Sequence, residues 1–326
     1  MSGIIAIVGP TASGKSSLGL ALAEALGGEI VNADALQVYR GFDIGTAKPT
    51  RDERLRVPHH LVDILDPSER YSAGEFARRA RAAIAEIAGR GRTAILVGGS
   101  GLYLRALWSG IAPLPPVNTV VRGELLERLE KEGLASLYSQ LAVLDPATAN
   151  RLGAGDTQRI LRALEVALAT GDTLTTWIAR QPFGTEPVSM RKIGLTLPRG
   201  LLYDAIAARV AAMVDAGWLN EVRALLAGGV DRGSPAFQAI GYRDWLGFLD
   251  GEAGLEATQQ KVVTLTRRFA KRQETWFRRE TGVEWWDARA SAECLKSLLQ
   301  RPAVAGGEPE KIAGIAEPTG APGGGG

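Results

Sequence analysis

The sequence predicts a parallel α/β sheet flanked by helices and carrying a phosphate-binding loop, interrupted by an all-helical insertion. Three observations predict it. The strand-length apolar run GIIAIV (residues 3–8) leads through Gly9-Pro10-Thr11-Ala12-Ser13-Gly14-Lys15-Ser16 into a helix-patterned segment, the strand–loop–helix order that phosphate loops require. Strand-length and helix-length segments then alternate, which favours parallel pairing through helical crossovers. From about Val117 to Gln181 the pattern turns helical throughout.

The elements follow in order. GKSSLGLALAEAL places Leu18, Leu22, Ala25 and Leu26 at helical spacing. A second strand, EIVNAD, precedes the loop ALQVYRGFDIGTAKP. AGEFARRARAAIAEIAGRG reads as a helix closed by glycine, and RTAILVGGSGLYL as a third strand running into a Gly-Gly turn. Three prolines between residues 113 and 116 mark a boundary. Beyond it VVRGELLERLEKEG, LASLYSQLAVL and TQRILRALEVALATG carry no convincing strand. MRKIGLTL returns to the sheet, and helices follow in GLLYDAIAARVAAMVDAGWLNEVRALLAGG and from about Leu255 to Thr281. The expected organisation is a core begun by residues 1–112, an insertion over 113–187, and core completion with basic C-terminal helices over 188–290. A helix remnant and a disordered Pro/Gly-rich tail occupy 291–326.

A chain of 326 residues, 45% hydrophobic, can bury a sizeable core, and a net charge of +2 permits a nucleic-acid partner without implying one. Cys294 is the only cysteine, which excludes an intrachain disulfide and a cysteine-based zinc cluster and fits a cytosolic setting. The apolar start is too short for a signal peptide or a membrane span. His59 and His60 are adjacent, so they cannot supply a spaced metal pair; a backbone-anchoring role after Pro58 is the preferred reading.

The chemistry starts at the loop. Its glycines let peptide N–H groups turn onto phosphate oxygens, and the helix N-terminus adds its positive dipole end. Lys15 neutralises charge, and the Ser16 hydroxyl suits a Mg2+ ion bridging phosphate oxygens. Gly9 to Ser16 therefore point to a nucleotide such as ATP or to another diphosphate or polyphosphate. A typical nucleotide hydrolase has a second strand ending in a metal-holding acid, but here AILVGG ends in glycines. The carboxylate comes instead from Asp34, placed to act on the group that receives whatever leaves the phosphate, or to reach the metal. Its alternative is a helix N-cap for ALQVYR. In GGSGLY the Ser100 hydroxyl can donate to a ligand oxygen, or the motif is simply a tight turn.

Positive charge gathers near the C-terminus, in TRRFAKRQETWFRRE. At helical spacing Arg267, Arg268, Lys271, Arg272, Arg278 and Arg279 fall within an arc of about 140°, with Phe269, Ala270, Trp276 and Phe277 opposite. Such a face suits a nucleic-acid backbone, whereas solvated faces normally mix signs. Arg159 and Arg162 with Gln158 form a second basic set, and Arg122 and Arg209 are further candidates.

Together the segments GPTASGKSSL, NADALQVYRGFDIGTAKP, VPHHLVDILDP with YSAGEF, GGSGLYLRAL, DTQRILRALEV, AIGYRDW and TRRFAKRQETWFRR resemble, in order, the bacterial tRNA dimethylallyltransferases over residues 4 to about 286. The resemblance implies a P-loop kinase-like core whose helical insertion clasps a tRNA anticodon stem-loop. The implied reaction is transfer of a dimethylallyl group from dimethylallyl diphosphate to the exocyclic amine of the adenosine just 3′ of the anticodon, in tRNAs reading codons that begin with U. It implies a monomeric, cytoplasmic enzyme using Mg2+. By matching position, Gly9, Pro10, Thr11, Ala12, Ser13, Gly14, Lys15 and Ser16 would hold the diphosphate with Arg209, and Asp34 would be the general base. Asp34, Ala35, Leu36 and Gln37 would contact the flipped base, and Ser100 and Arg122 the tRNA near the reaction channel. Gln158, Arg159, Ile160, Leu161 and Arg162 would line the RNA surface, joined by Arg267, Lys271 and Arg272. Two departures stand out. Ser100 replaces the family threonine, keeping the hydroxyl without the methyl, and Gly153-Ala154-Gly155-Asp156 stands where the family reads close to Pro-Asn-Asp. The competing readings are a small-metabolite kinase, an isopentenyltransferase acting on free adenine nucleotides, and a nucleotide-switched RNA-binding protein.

Overall fold

The computed structural model describes residues 3–110, 114–180 and 188–300. Of the helix remnant and tail expected over 291–326, residues 301–326 lie outside the described residues, as do both ends expected for the insertion, at 113 and 187. In chain order the elements are β1 (Ile4–Val8), α1 (Lys15–Leu26), β2 (Glu29–Asn32), α2 (Arg51–Arg56), β3 (His59–His60), α3 (Ala73–Gly89), β4 (Ala94–Val97) and α4 (Gly101–Trp108). Helices α5 (Thr119–Leu144), α6 (Pro146–Arg151), α7 (Thr157–Thr170) and α8 (Leu174–Arg180) come next. The chain closes with β5 (Arg191–Thr196), α9 (Arg199–Asp215), α10 (Trp218–Ala227), α11 (Tyr242–Leu249), α12 (Leu255–Phe277), β6 (Val283–Asp287) and α13 (Ser291–Gln300).

The six strands form one sheet in the order β3-β2-β4-β1-β5-β6, and each neighbouring pair is parallel. Because a parallel sheet is covered on both faces, its inner strands are apolar without alternation, and all residues of β2 and β4 are buried. On one face α3 and α4 set Phe76, Ala80, Ile87 and Leu104 against Ala6, Val31 and Leu96. On the other α1 and α13 set Leu18, Leu22 and Leu298 against Ile5, Ile7, Ile95 and Ile193. Helices α9–α12 build a separate aromatic cluster around Phe42, Trp218, Phe237, Tyr242 and Trp245. Helices α5–α8 pack on themselves around Leu125, Leu137, Leu141, Ile160 and Leu164.

The sequence reading differs from the structure at three points. VEWWD, to which the sequence reading gives no element, is an edge strand; all five of its residues are only half buried, so it lacks the apolar run that marks an inner strand. The helices read before and after Gly133 do stand apart there, since Gly133, at φ 79 and ψ 167, is not helical. ALQVYR forms turns, not a helix, which removes the N-cap alternative for Asp34. Only His59 of the histidine pair anchors backbone, its Nδ1 lying 2.8 Å from the Val57 carbonyl.

The other histidine, His60, meets Glu29 at 2.6 Å. Glu29 opens β2 at the end of the sheet remote from the phosphate loop. It is 2% exposed and also accepts from Arg90 and Arg92. Hydrogen bonds from Arg90 outweigh burial and, helped by His60, hold its carboxyl at about 2, down from 4.5. A depressed carboxylate stabilises the fold above its unfolded value and loses that contribution as pH falls. Between pH 4.5 and 2 thermal melts should therefore lose up to about 3 kcal/mol through this group. Glu29→Gln should lower Tm at pH 7 and flatten that acid limb while leaving turnover intact; an unchanged acid limb would contradict the assignment.

Candidate active site

β1 lies between β4 and β5, so the loop that follows it emerges where ligands bind in open α/β sheets, at the carboxyl ends of the strands. Gly9 leaves the strand at φ +140, and a Cβ there would lie 2.4 Å from the Leu195 carbonyl oxygen of β5. The position is closed to any other residue. β2 is not the direct neighbour of β1, because β4 runs between them. Asp34 therefore reaches the loop over the end of β4, where a Cβ on Gly98 would lie 2.2 Å from the Ala33 oxygen. The Gly-Gly turn is bare because β2 passes against it.

Two cavities open here, of about 830 and 580 Å3. Thr11, Ala12, Gly14, Lys15 and Ser16 line the larger one with Gln37, whereas Gly9, Pro10 and Ser13 do not. Leu36, Ser100, Trp218, Ile240 and Trp276 line the smaller one. Both share Thr11, Asp34, Gly99, Arg209, Met213, Phe269 and Gln273, so they meet at Asp34.

The larger cavity is short of negative charge. Lys15 Nζ donates to the Pro10 carbonyl at 2.5 Å. Burial, and then Arg209, bring its pKa down to about 7 against the opposing pull of Asp34. Burial lowers Arg209 too. Two half-buried cations with a single nearby carboxylate form a place for an anion. The Ser16 hydroxyl is exposed beside them.

Asp34 is held rigidly by local bonds. Its N–H donates to Asn32 Oδ1 at 3.0 Å, and its own Oδ1 accepts from the Leu36 N–H at 2.9 Å. Asn32 is fixed in turn by donation to the Leu61 carbonyl. The second oxygen of Asp34 accepts nothing from the described residues, which leaves it for a ligand proton. Ser100 Oγ accepts from the Ala35 N–H at 3.0 Å, so its own hydrogen remains available for donation. Gln37 spends its NH2 on the Thr46 and Ala47 carbonyls. That turn is itself clamped by Glu221, which accepts from the N–H groups of Asp43 and Ile44 and from the Tyr242 hydroxyl.

The family model described as IPP transferase matches residues 37–280. The chain belongs to the IPP transferase family. A tRNA dimethylallyltransferase of Geobacter metallireducens is 48% identical over 296 residues, covering 91% of this chain and 96% of that protein. Among solved structures, the tRNA isopentenylpyrophosphate transferase of Bacillus halodurans is 38% identical with a TM-score of 0.66, over 92% of this chain and 96% of the other. A eukaryotic dimethylallyltransferase acting on tRNA is 27% identical with a TM-score of 0.74, over 93% and 81%.

In this IPP transferase the residues expected on RNA divide into two sets. Arg268, Lys271, Arg272, Arg278 and Arg279 are exposed, as are Gln158 and Arg159, although Arg159 pairs with Asp156 at 3.3 Å. Ile160 and Leu161 are instead buried in the insertion core, 0 and 2% exposed, so their side chains cannot line an RNA surface. Arg122 and Arg162 both turn onto the buried Glu165, at 3.6 and 2.5 Å. They neutralise an interior carboxylate, and neither lines either of these two cavities. Arg267 also leaves the outer arc, since its guanidinium stacks on Tyr203 of α9, 5.0 Å from the ring centroid. Of the residues read as the apolar back of the helix, Phe269 lines both cavities, and Trp276 lines the smaller one while also packing against the core beside Trp108 and Phe277. Sequence reasoning missed Gln273, Trp218 and Ile240. Gln273 had a signal: it is an uncharged polar residue at helical spacing from the buried Ala270 and Phe277.

Proposed function

We propose that this transferase moves a dimethylallyl group from dimethylallyl diphosphate to the exocyclic amine of the adenosine 3′-adjacent to the anticodon, in tRNAs reading codons that begin with U. The observation that carries the reading is the meeting of a cationic cavity and a largely apolar one at the uncommitted oxygen of Asp34. The diphosphate would lie against Lys15, Arg209 and the loop amides, which stabilise charge as the C1–O bond breaks. The adenine would enter the smaller cavity beside Leu36 and Ser100 after leaving its stack. As the N–C1 bond forms, Asp34 takes the amine proton, and diphosphate departs with the electron pair of the broken bond. Leu36, Trp218, Ile240 and Trp276 would keep water from the allylic carbon.

Mg2+ fits this arrangement. Among the described residues no group of three or more His, Cys, Asp or Glu could hold an ion, so the ion would rest on Ser16, diphosphate oxygens and water, as Mg2+ prefers. When bound it would neutralise charge on the departing diphosphate. The exposed arc of α12 and the Gln158–Arg159 end of α7 would hold the anticodon stem-loop between core and insertion. No helix among the described residues is long and apolar enough to cross a membrane, and a cytoplasmic site of action fits a tRNA substrate.

The deciding experiment incubates the protein with Mg2+, labelled dimethylallyl diphosphate and either unmodified tRNA or AMP. Label is expected in tRNA; label in AMP alone would overturn the reading.

A linked prediction follows from Lys15. Its amine titrates near 7 in the free site, and a bound diphosphate raises that value. Between the free and bound pKa values, binding takes up about one proton, so affinity declines as pH rises above 7. Calorimetry of inorganic diphosphate at pH 8, in buffers of different ionisation enthalpy, should show about one proton more taken up by the wild type than by Lys15→Arg, a difference in which the protons exchanged by the diphosphate itself cancel. Equal proton exchange by the two proteins would contradict the account.

A further inference from the structure

Gln273 lies on α12, but its side chain points away from the basic arc and is 6% exposed. Its Oε1 accepts from the Thr11 N–H at 2.8 Å, and its Nε2 donates to the Gly99 carbonyl at 3.0 Å. A single amide thus bridges the phosphate loop and the turn that presents Ser100. The fit is built from both sides, since a Cβ on Gly99 would lie 2.2 Å from Gln273 Nε2. The turn is bare where the amide enters. The Thr11 N–H is committed to this bond and so is not one of the phosphate donors. What the bond fixes is the Pro10–Thr11 peptide plane, one residue ahead of Ala12, which holds a left-handed φ of 63 before Gly14 and Lys15. For a residue with a Cβ that conformation persists only where its surroundings enforce it.

We propose that Gln273 is a positioning residue that sets the phosphate loop in register with the Ser100 turn, from the same helix that presents the basic arc. Diphosphate affinity then depends on Gln273, while RNA affinity, which draws on the outer face of α12, does not. The inference rests on reading the site as a prenyl-transfer centre.

Gln273→Met keeps the length and makes neither bond. The Kd for inorganic diphosphate with Mg2+ should rise about tenfold, as expected for losing buried paired hydrogen bonds. The Kd for an anticodon stem-loop should stay within about twofold. A lower Tm with an unchanged diphosphate Kd would mean a merely structural role and overturn the proposal, as would equal weakening of both ligands. Gln273→Glu gives a second variant should the first not fold. It retains the acceptor for Thr11 but sets a carboxylate against the Gly99 carbonyl, and it should weaken diphosphate in the same way. Gly99→Ala should do likewise by expelling the amide. That effect should shrink in a Gly99→Ala, Gln273→Ala double variant, where the methyl has room; additive losses would count against the bridge. Wild-type turnover on tRNA is a separate control. Its absence would sink the prenyl-transfer reading, whereas the diphosphate affinities still judge Gln273.

Discussion

Asp34→Asn is expected to lower kcat by about a thousandfold, the scale of a lost general base, while the Kd values for diphosphate and RNA stay within about threefold. Asparagine keeps the side-chain shape, and its Oδ1 can still accept from the Leu36 N–H, so the turn that places residues 34–37 survives. What disappears, on the proposed mechanism, is the proton acceptor at the junction of the two cavities. An adenine exocyclic amine is a poor nucleophile while it keeps both protons, so the loss falls on the chemical step. A variant that turned over normally would reduce Asp34 to a turn-former. Presteady-state turnover with saturating substrates separates that outcome from weak binding.

Lys15→Met should have the second largest effect, with opposite signs for function and stability. On the proposed mechanism the departing diphosphate loses one of its two side-chain cations, so kcat/KM should fall by about a hundredfold or more. The ligand-free fold should meanwhile gain stability, because the same burial and Arg209 repulsion that bring Lys15 to about 7 disfavour its charge in the folded state. The sign follows from linkage. A lysine with a depressed folded pKa opposes folding below that value, and the opposition fades as pH rises from 7 toward 10.5. Melting curves at pH 7 should therefore show a higher Tm for the methionine variant than for the wild type, and the gap should close toward pH 10. An inactive variant with a lowered Tm would indicate that Lys15 holds the loop through Pro10 rather than waiting for an anion. Such trade-offs are expected where a site is built for a ligand that is absent.

Much of this architecture is legible in the sequence because its signals are local. The apolar runs of β1, β2 and β4 mark strands buried on both faces, and the glycine pattern from Gly9 to Ser16 names its own chemistry. Other features depend on chain returning from far away. Ile160, Leu161, Arg122 and Arg162 look like parts of a basic surface until Glu165 turns the arginines inward and the insertion core takes the aliphatic residues. Arg267 fits the wheel of α12, but the wheel is blind to Tyr203 on the neighbouring helix. The missing β6 has the same origin. VEWWD becomes a strand because β5 offers it an edge, with Ile193 paired to Glu284 and Leu195 to Trp286. Gln273 shows the limit most clearly, since both its partners lie far back in the chain, at Thr11 and Gly99.

The central claim is that the two cavities hold two different substrates at once and meet at Asp34. Equilibrium binding of the unreactive dimethylallyl thiodiphosphate, titrated with and without a saturating unmodified anticodon stem-loop, tests it most directly. Simultaneous occupancy is predicted, with the thiodiphosphate bound as tightly or more tightly when RNA is present. Mutual exclusion, seen as a thiodiphosphate Kd that climbs in proportion to RNA concentration, would mean that both compete for one cavity and would contradict the account.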